Sequence, residues 1–356
     1  MKMDQQLLTE KAIELLKELI SIQSFSGDEH HTAEAIEAWF KGFDIPFQRE
    51  NNNVIAKNKY WDDNKPTLLL NSHHDTVRPN KAYTRDPFDP QIENGKLYGL
   101  GSNDAGGALV SLLATFTHLY NASNLNHNLL MVASAEEENA GPKSLRALLP
   151  TLPKIDVAIV GEPTLMQLAI AEKGLVVFDA VVKGTPSHAA HPNEDNSIYK
   201  TIAVLDWFKN YKFEKVSEAL GVVKLTVTQI NAGSQHNVVP AHTDLVIDVR
   251  VNDCYSNKEV ADILKTEAPC ELQERSLRLN SSSIDKNHLL VQSGIKLGRD
   301  TYGSPTLSDQ TALTCQSMKL GPGDSTRSHS ADEFIYVNEI EEGIDLYIKL
   351  LNGFLL

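Results

Sequence analysis

Thr67-Leu68-Leu69-Leu70-Asn71-Ser72-His73-His74-Asp75 is an apolar run that ends in two imidazoles and a carboxylate. Thr67–Asn71 has the length and content of a buried strand, so the polar groups fall just beyond its carboxyl end. The same order recurs three times. Strand-like runs at Leu97–Gly99, Leu129–Ser134 and Ile155–Gly161 lead into Gly101-Ser102-Asn103-Asp104, Ala135-Glu136-Glu137-Glu138 and Gly161-Glu162-Pro163. Helical patterns over Ala105–Leu119 and Pro142–Leu149 separate them, which predicts an α/β layer structure with a sheet at least partly parallel. Ligands gather beyond the carboxyl ends of the strands in such sheets, so the four clusters are expected to share one crevice. Ser328-His329-Ser330, after the turn Gly321-Pro322-Gly323, is a fifth candidate.

Upstream, Val54–Lys57 reads as a further strand. Ala12, Ile13, Leu15, Leu16, Leu19 and Ile20 line one face of an expected helix, and a second helix runs from the break at Ser26-Gly27-Asp28 to about Lys41-Gly42. Downstream of Lys173 the pattern changes. Strands at Leu175–Lys183, Lys224–Ile230, Thr243–Val251 and Glu271–Leu279 alternate with helices at Ser197–Lys209 and Asn257–Lys265. That order is β-α-β-β-α-β, the arrangement of a ferredoxin-like unit. After Ser281-Ser282-Ser283 the chain returns to a helix-rich α/β pattern and closes with a helix from about Asn338 to Leu351. The expectation is a discontinuous larger domain, 1–173 and 282–356, with a smaller domain, 174–281, inserted in it.

A chain of 356 residues suits two domains, because single cores stop growing near ~250–300 residues. Its 41% hydrophobic and 22% charged residues are ordinary for a globular protein. The net charge of -14 argues against nucleic acid, whose binders present a basic face. Cys254, Cys270 and Cys315 form no C-x-x-C pair or disulfide framework, which suits a reducing cytoplasm. Met1-Lys2-Met3-Asp4-Gln5-Gln6 leads into a charged amphipathic stretch rather than a signal-peptide core, and the apolar stretch Ala108–Phe116 is too short to span a bilayer. No membrane association is expected.

Taken singly the clusters are bland. A His-x-Asp pair after a strand is by default a solvated loop, and three consecutive glutamates are by default an exposed run that introduces a helix. Gly99–Gly107 fails as a phosphate loop, because Asp104 replaces the third glycine of G-x-G-x-x-G and would repel a phosphate. Together they are informative: two imidazoles and several carboxylates suit a borderline divalent metal such as zinc. Two ions sharing one carboxylate would need about two further ligands each, which these segments supply. Glu136 is then left as a base, and Asp75 is placed to orient His73.

The sequence resembles the two-zinc metallohydrolases that include acetylornithine deacetylase, succinyl-diaminopimelate desuccinylase and related carboxypeptidases. The matching segments are Ser72-His73-His74-Asp75-Thr76-Val77, Gly99 to Gly107, Glu136-Glu137, Gly161-Glu162-Pro163-Thr164 and His329-Ser330-Ala331-Asp332-Glu333, in the family's order and spacing. The resemblance covers nearly the whole chain and implies a mixed-sheet catalytic domain with an inserted ferredoxin-like lid or dimerisation domain, working as a homodimer. It implies that Asp104 bridges two divalent metals, zinc first, with cobalt or manganese as alternatives. His73 and Glu162 would complete one ion, and Glu137 and His329 the other. Glu136 would be the general base, Asp75 the partner of His73, and the Asp104-Ala105 peptide is expected to be cis. Ser102-Asn103 departs from the other small or basic residues often found there.

In the inserted domain, Gly184 to Pro192 resembles the lid segment whose histidine reaches a substrate carbonyl oxygen, and the matching position is His188. Asn237 and Arg250 resemble substrate-binding positions. A guanidinium on a strand grips an α-carboxylate with two parallel hydrogen bonds, but an ion pair with Asp248 or Asp253 is an equal alternative for Arg250. The implied activity is hydrolysis of an N-acyl amino acid, with Glu136 taking the proton of the attacking water and returning it to the amine. Within that class the order of expectation is an acetylornithine deacetylase-like enzyme of arginine biosynthesis, a succinyl-diaminopimelate desuccinylase, then a dipeptidase or carboxypeptidase. A catalytically silent binder of amino-acid derivatives is the alternative of another kind.

Overall fold

A computed structural model describes residues 4–356; the opening Met1-Lys2-Met3 lies outside the described residues. Two compact units divide the chain. One runs to Ile170 and takes up Ser283–Tyr302 and Ser308–Leu356; the other is Ala171–Ser282 with Gly303–Leu307.

The first unit is built on a mixed sheet. Its strands lie in the order Phe47–Glu50, Asn53–Lys57, Asn128–Ser134, Thr67–His73, Val157–Val160, Gln316–Lys319 and Leu168–Glu172. Thr67–His73 is parallel to both neighbours, and Gln316–Lys319 is parallel to Val157–Val160. The pairing of Asn53–Lys57 with Asn128–Ser134 is antiparallel. Every residue of Thr67–His73 is buried. Alternation sends Leu68 and Leu70 into one core and Leu69 into the other, so both faces of the sheet are covered. On the first face the helices Gln5–Ser21, Gly107–Leu119 and Val337–Leu355 surround Phe40, Phe116 and Tyr347. Gly107–Leu119 is apolar nearly all round because it is buried nearly all round. The thinner second face uses Ile55, Leu130, Leu145, Leu148 and Ala158.

Several expected elements differ: the helix expected over Pro142–Leu149 is only Leu145–Leu148, and the strand expected to reach Leu279 ends at Glu274. The run at Leu97–Gly99 is not in the mixed sheet: Lys96–Tyr98 pairs with Ile92–Glu93 and Phe334–Tyr336 in a separate three-stranded sheet. The helix expected from Ala105 begins at Gly107, after an irregular turn over Ser102–Gly106 in which the Asp104-Ala105 peptide is cis.

The second unit has four antiparallel strands in the order Lys224–Ala232, His242–Val251, Gly174–Lys183, Glu271–Glu274, with helices Ser197–Asn210 and Asn257–Glu267. Along the chain this is β-α-β-β-α-β, and the last strand lies beside the first. Burial alternates along Gly174–Lys183 and His242–Val251, which puts Val176, Phe178, Leu245, Ile247 and Val249 against Val260 and Leu264. Ser256 and Glu259 form a capping box at the start of the second helix. The short piece Gly303–Leu307 was not anticipated as part of this unit; a Cβ at Gly303 would lie 2.1 Å from the Ala219 carbonyl oxygen.

No helix among the described residues is long and apolar enough to cross a membrane. All three cysteines are free.

Candidate metal centre

His73 ends the central strand, with its side chain 1% exposed. Its Nδ1 lies 2.9 Å from the Asp75 carbonyl oxygen and 3.5 Å from the Asp75 carboxylate. A proton on Nδ1 donated to that carbonyl leaves the Nε2 lone pair for a ligand. Nε2 faces Asp104 Oδ1 at 3.4 Å and Glu162 Oε1 at 3.9 Å. The second Asp104 oxygen, Oδ2, is 3.6 Å from His329 Nε2. Asp104 thus stands between the two imidazoles, one oxygen toward each.

Glu138 completes the His329 side, with its oxygens 3.1 and 3.2 Å from Nε2. Ligand atoms of His73, Asp104 and Glu138 all lie within 4.8 Å of one another. The acidic residue that meets His329 is thus Glu138, whereas the sequence reading expects Glu137 there. Glu136, expected as the base, is turned into its own loop. Its Oε2 accepts the Lys143 N–H at 2.8 Å, and its carbonyl oxygen accepts the Gly141 N–H at 2.9 Å. A φ of +53° at Glu136 turns the chain there. The two residues that follow are brought within electrostatic reach of the cluster instead: Glu137 feels His73, Glu162 and Asp309.

Buried carboxylates hold this turn. Glu29 Oε1 accepts the Glu136 N–H at 3.2 Å, and the two oxygens of Asp75 accept the N–H groups of Glu137 and Glu138 at 3.0 and 3.1 Å. Ser26 Oγ also donates to Asp75, at 2.7 Å. Asp75 therefore serves the acidic run as much as His73. Below it, Ser134 Oγ donates to Asp309 at 2.5 Å and receives Asn71 Nδ2 at 2.9 Å.

The charges are strongly coupled. Burial lowers the His73 pKa, but Asp104, Asp75, Glu137 and Glu162 outweigh it and hold the imidazole well above its ordinary value. Burial and the Asp104 charge push Glu162 up to about 8. Burial, with the surrounding carboxylates, drives Glu137 well above the carboxylate range. Glu138 raises His329 to about 9. Carboxylates that can ionise only at a cost, around imidazole nitrogens facing outward from their strand and loop, fit a pair of divalent cations. His73, Asp104, Glu138, Glu162 and His329 are the residues that would hold them.

The remaining site residues lie in the second unit. The strand Ser187–His188 pairs with Val238–Val239, and the Ala189 N–H donates to the Asn237 carbonyl oxygen at 2.9 Å, so His188 and Asn237 share one exposed ribbon. Arg250 makes a bidentate pair with Asp248, at 2.8 and 3.1 Å, which is the ion-pair alternative.

Residues 69–353 match the model of peptidase family M20/M25/M40. A succinyl-diaminopimelate desuccinylase of Wolbachia pipientis wMel is 28% identical over 96% of this chain and 93% of its own length. An acetylornithine deacetylase of Proteus mirabilis is 27% identical over 97% of both chains. Among solved structures, the YXEP protein of Bacillus subtilis, described as a dinuclear metal binding peptidase, superposes with a TM-score of 0.73 at 15% identity, covering 97% of this chain and 98% of that one. At that identity the likeness concerns the fold alone.

Proposed function

The chain belongs to peptidase family M20/M25/M40, and from that premise we propose that it is a metal-dependent amide hydrolase that removes an acyl group from an amino acid. The observation that carries this reading is the placement of Asp104 between His73 and His329, at 3.4 and 3.6 Å. In this proposal His73 and Glu162 hold one divalent ion, Glu138 and His329 hold a second, and Asp104 serves both. Zinc suits this mixture of imidazole and carboxylate best, with cobalt or manganese as alternatives. When bound, such ions act as Lewis acids and acidify water.

The protein's own groups do the rest. Glu137, the remaining carboxyl of the run within electrostatic reach of His73 and Glu162, accepts the proton of the attacking water and returns it to the departing amine. Asp75 keeps the acidic run and His73 in place through the hydrogen bonds given above. For His188 and Asn237 the proposal is contact with the substrate, supported by the resemblance and by their shared exposed ribbon. Arg250 is engaged by Asp248, which favours the structural role over carboxylate binding.

The names of the two relatives both describe N-acylated diamino acids, an acetylornithine and a succinyl-diaminopimelate. The substrate proposed is accordingly a small N-acyl amino acid, with acetylornithine and arginine biosynthesis first and succinyl-diaminopimelate second. The setting proposed is the cytoplasm, and the assembly a homodimer through the second unit. The helix Ser197–Asn210 leaves Ile198, Tyr199 and Ile202 exposed, and Lys224–Ala232 is an unpaired sheet edge, as expected of a face that meets a second copy. The test is hydrolysis of acetyl and succinyl derivatives of ornithine, citrulline and diaminopimelate, and of dipeptides, before and after chelation. Chelator-sensitive release of an acyl group supports the proposal. No hydrolysis of any member favours a silent binding protein.

A further inference from the structure

Glu333 is 1% exposed and stands in the segment that carries His329, four residues away. Its carboxylate is met by backbone amides. Oε1 accepts the N–H groups of Asn103 and Asp104, both at 2.9 Å, and Oε2 accepts the Gly101 N–H at 3.2 Å. The Glu333 carbonyl oxygen takes the Gly99 N–H at 2.9 Å. Four amides of the loop that presents Asp104 therefore end on one residue of the His329 segment.

A second set of contacts joins the same two segments. Asn103 Nδ2 donates to the Asp324 carbonyl oxygen at 3.0 Å, and its Oδ1 accepts the Asp324 N–H at 3.0 Å. The loop itself is irregular: Gly101 has a φ of +75°, and Asp104 and Ala105 are non-helical inside the turn. Such a loop has no ladder of its own to fix it, so the direction of the Asp104 side chain depends on what holds its amides. A buried carboxylate is a strong acceptor for three N–H groups, and it is costly to bury unless it is so used.

We propose that Glu333 is a positioning residue that fixes the bridging carboxylate of Asp104 relative to His329, so that both metal ions bind together. The inference rests on the metal-centre reading above. Outer partners of this kind are worth about 10- to 100-fold in metal affinity.

The test uses the full chain stripped by chelator and titrated with Co2+ alone, followed by calorimetry and by the visible cobalt spectrum, with a thermal melt of each metal-free variant. Wild type is expected to take two ions. Glu333→Gln keeps the shape but places an amide N–H against the loop amides; it should keep one ion, weaken the other at least 10-fold and change the cobalt spectrum. Glu333→Asp keeps the charge but is one methylene short, and it should weaken the second ion as well. Wild-type affinity and an unchanged spectrum in both folded variants overturn the proposal. A wild-type chain that binds no metal overturns the metal-centre reading too, so the two failures are told apart before any variant is compared. If one variant does not fold, the other decides. If neither folds, amide exchange over residues 99–104 of metal-free wild type decides: slow exchange supports the proposal, and fast exchange overturns it.

Discussion

Glu136, Glu137 and Glu138 carry the same functional group on consecutive residues, yet each has different surroundings. Glu138 meets His329, Glu137 lies among the charges of His73 and Glu162, and the Glu136 carboxylate accepts the Lys143 N–H. Substitutions separate them. Glu137→Gln should retain metal and lower kcat by about 10²- to 10⁴-fold, the usual worth of a positioned base. Glu138→Ala should lose one ion, read by elemental analysis after gel filtration. Glu136→Gln should stay within about 10-fold of wild type and show instead at most a modest loss of stability, about 1 kcal/mol, since its amide oxygen can still accept the Lys143 N–H but without the carboxylate charge. A dead Glu136→Gln with an active Glu137→Gln would restore the register expected from the sequence. His73, Asp104, Glu162 and His329 were legible because each combines a strong ligand type with a distinctive neighbourhood of Gly, Pro, Ser or Asp. The glutamates were not: three identical side chains look alike in any register, and only the turn at Glu136 decides which ones face inward.

The loops that bear the ligands are held by acids at the level of their backbone. Asp75 and Glu29 accept three successive amides of the Glu136–Glu138 turn, and Glu333 accepts three from Gly101 to Asp104. Part of the acidic content around the site is therefore scaffold. Close packing adds to this. A Cβ at Gly106 would lie 2.4 Å from the Gly101 carbonyl oxygen and 2.6 Å from Leu16 Cδ1. Gly106→Ala should cost about 1–3 kcal/mol by overpacking, read as a lower urea midpoint. A variant with an unchanged midpoint would show that the turn can relax. The strands Thr67–His73 and Asn128–Ser134 were readable because they are buried throughout and rich in Leu, Val and Met. Leu168–Glu172 and Gln316–Lys319 were not read as strands. They carry Glu172 and Lys319 fully buried, and a charged residue inside a short run hides the apolar pattern that identifies a strand.

At the scale of the molecule, the exposed apolar face of the second unit and its acidic charge each make a claim on solution behaviour. If Tyr199 and Ile202, 73% and 67% exposed, lie at a subunit interface, Tyr199→Lys with Ile202→Lys should convert a dimer to a monomer in sedimentation velocity. A wild type that sediments as a monomer would refute the dimer. The formal net charge of -14 counts every carboxyl as ionised, but at the candidate metal centre of the metal-free chain Glu162 has its pKa raised to about 8 and Glu137 is raised well above its ordinary value. Unfolding returns these carboxyls to about 4.3, so between that pH and about 8 the folded metal-free chain binds more protons than the unfolded one. Its stability must therefore fall as pH rises through that window. Metal ions bound here would reverse the sign, because they would bind the ionised ligands and compete with protons, so that their affinity would rise with pH. Stabilisation by mass action then grows in the same direction. The difference in Tm between metal-loaded and chelated protein should be smaller at pH 6 than at pH 8, with the chelated curve moving down and the loaded one holding or rising. Equal differences at the two pH values would mean that these carboxyls do not bind the ions.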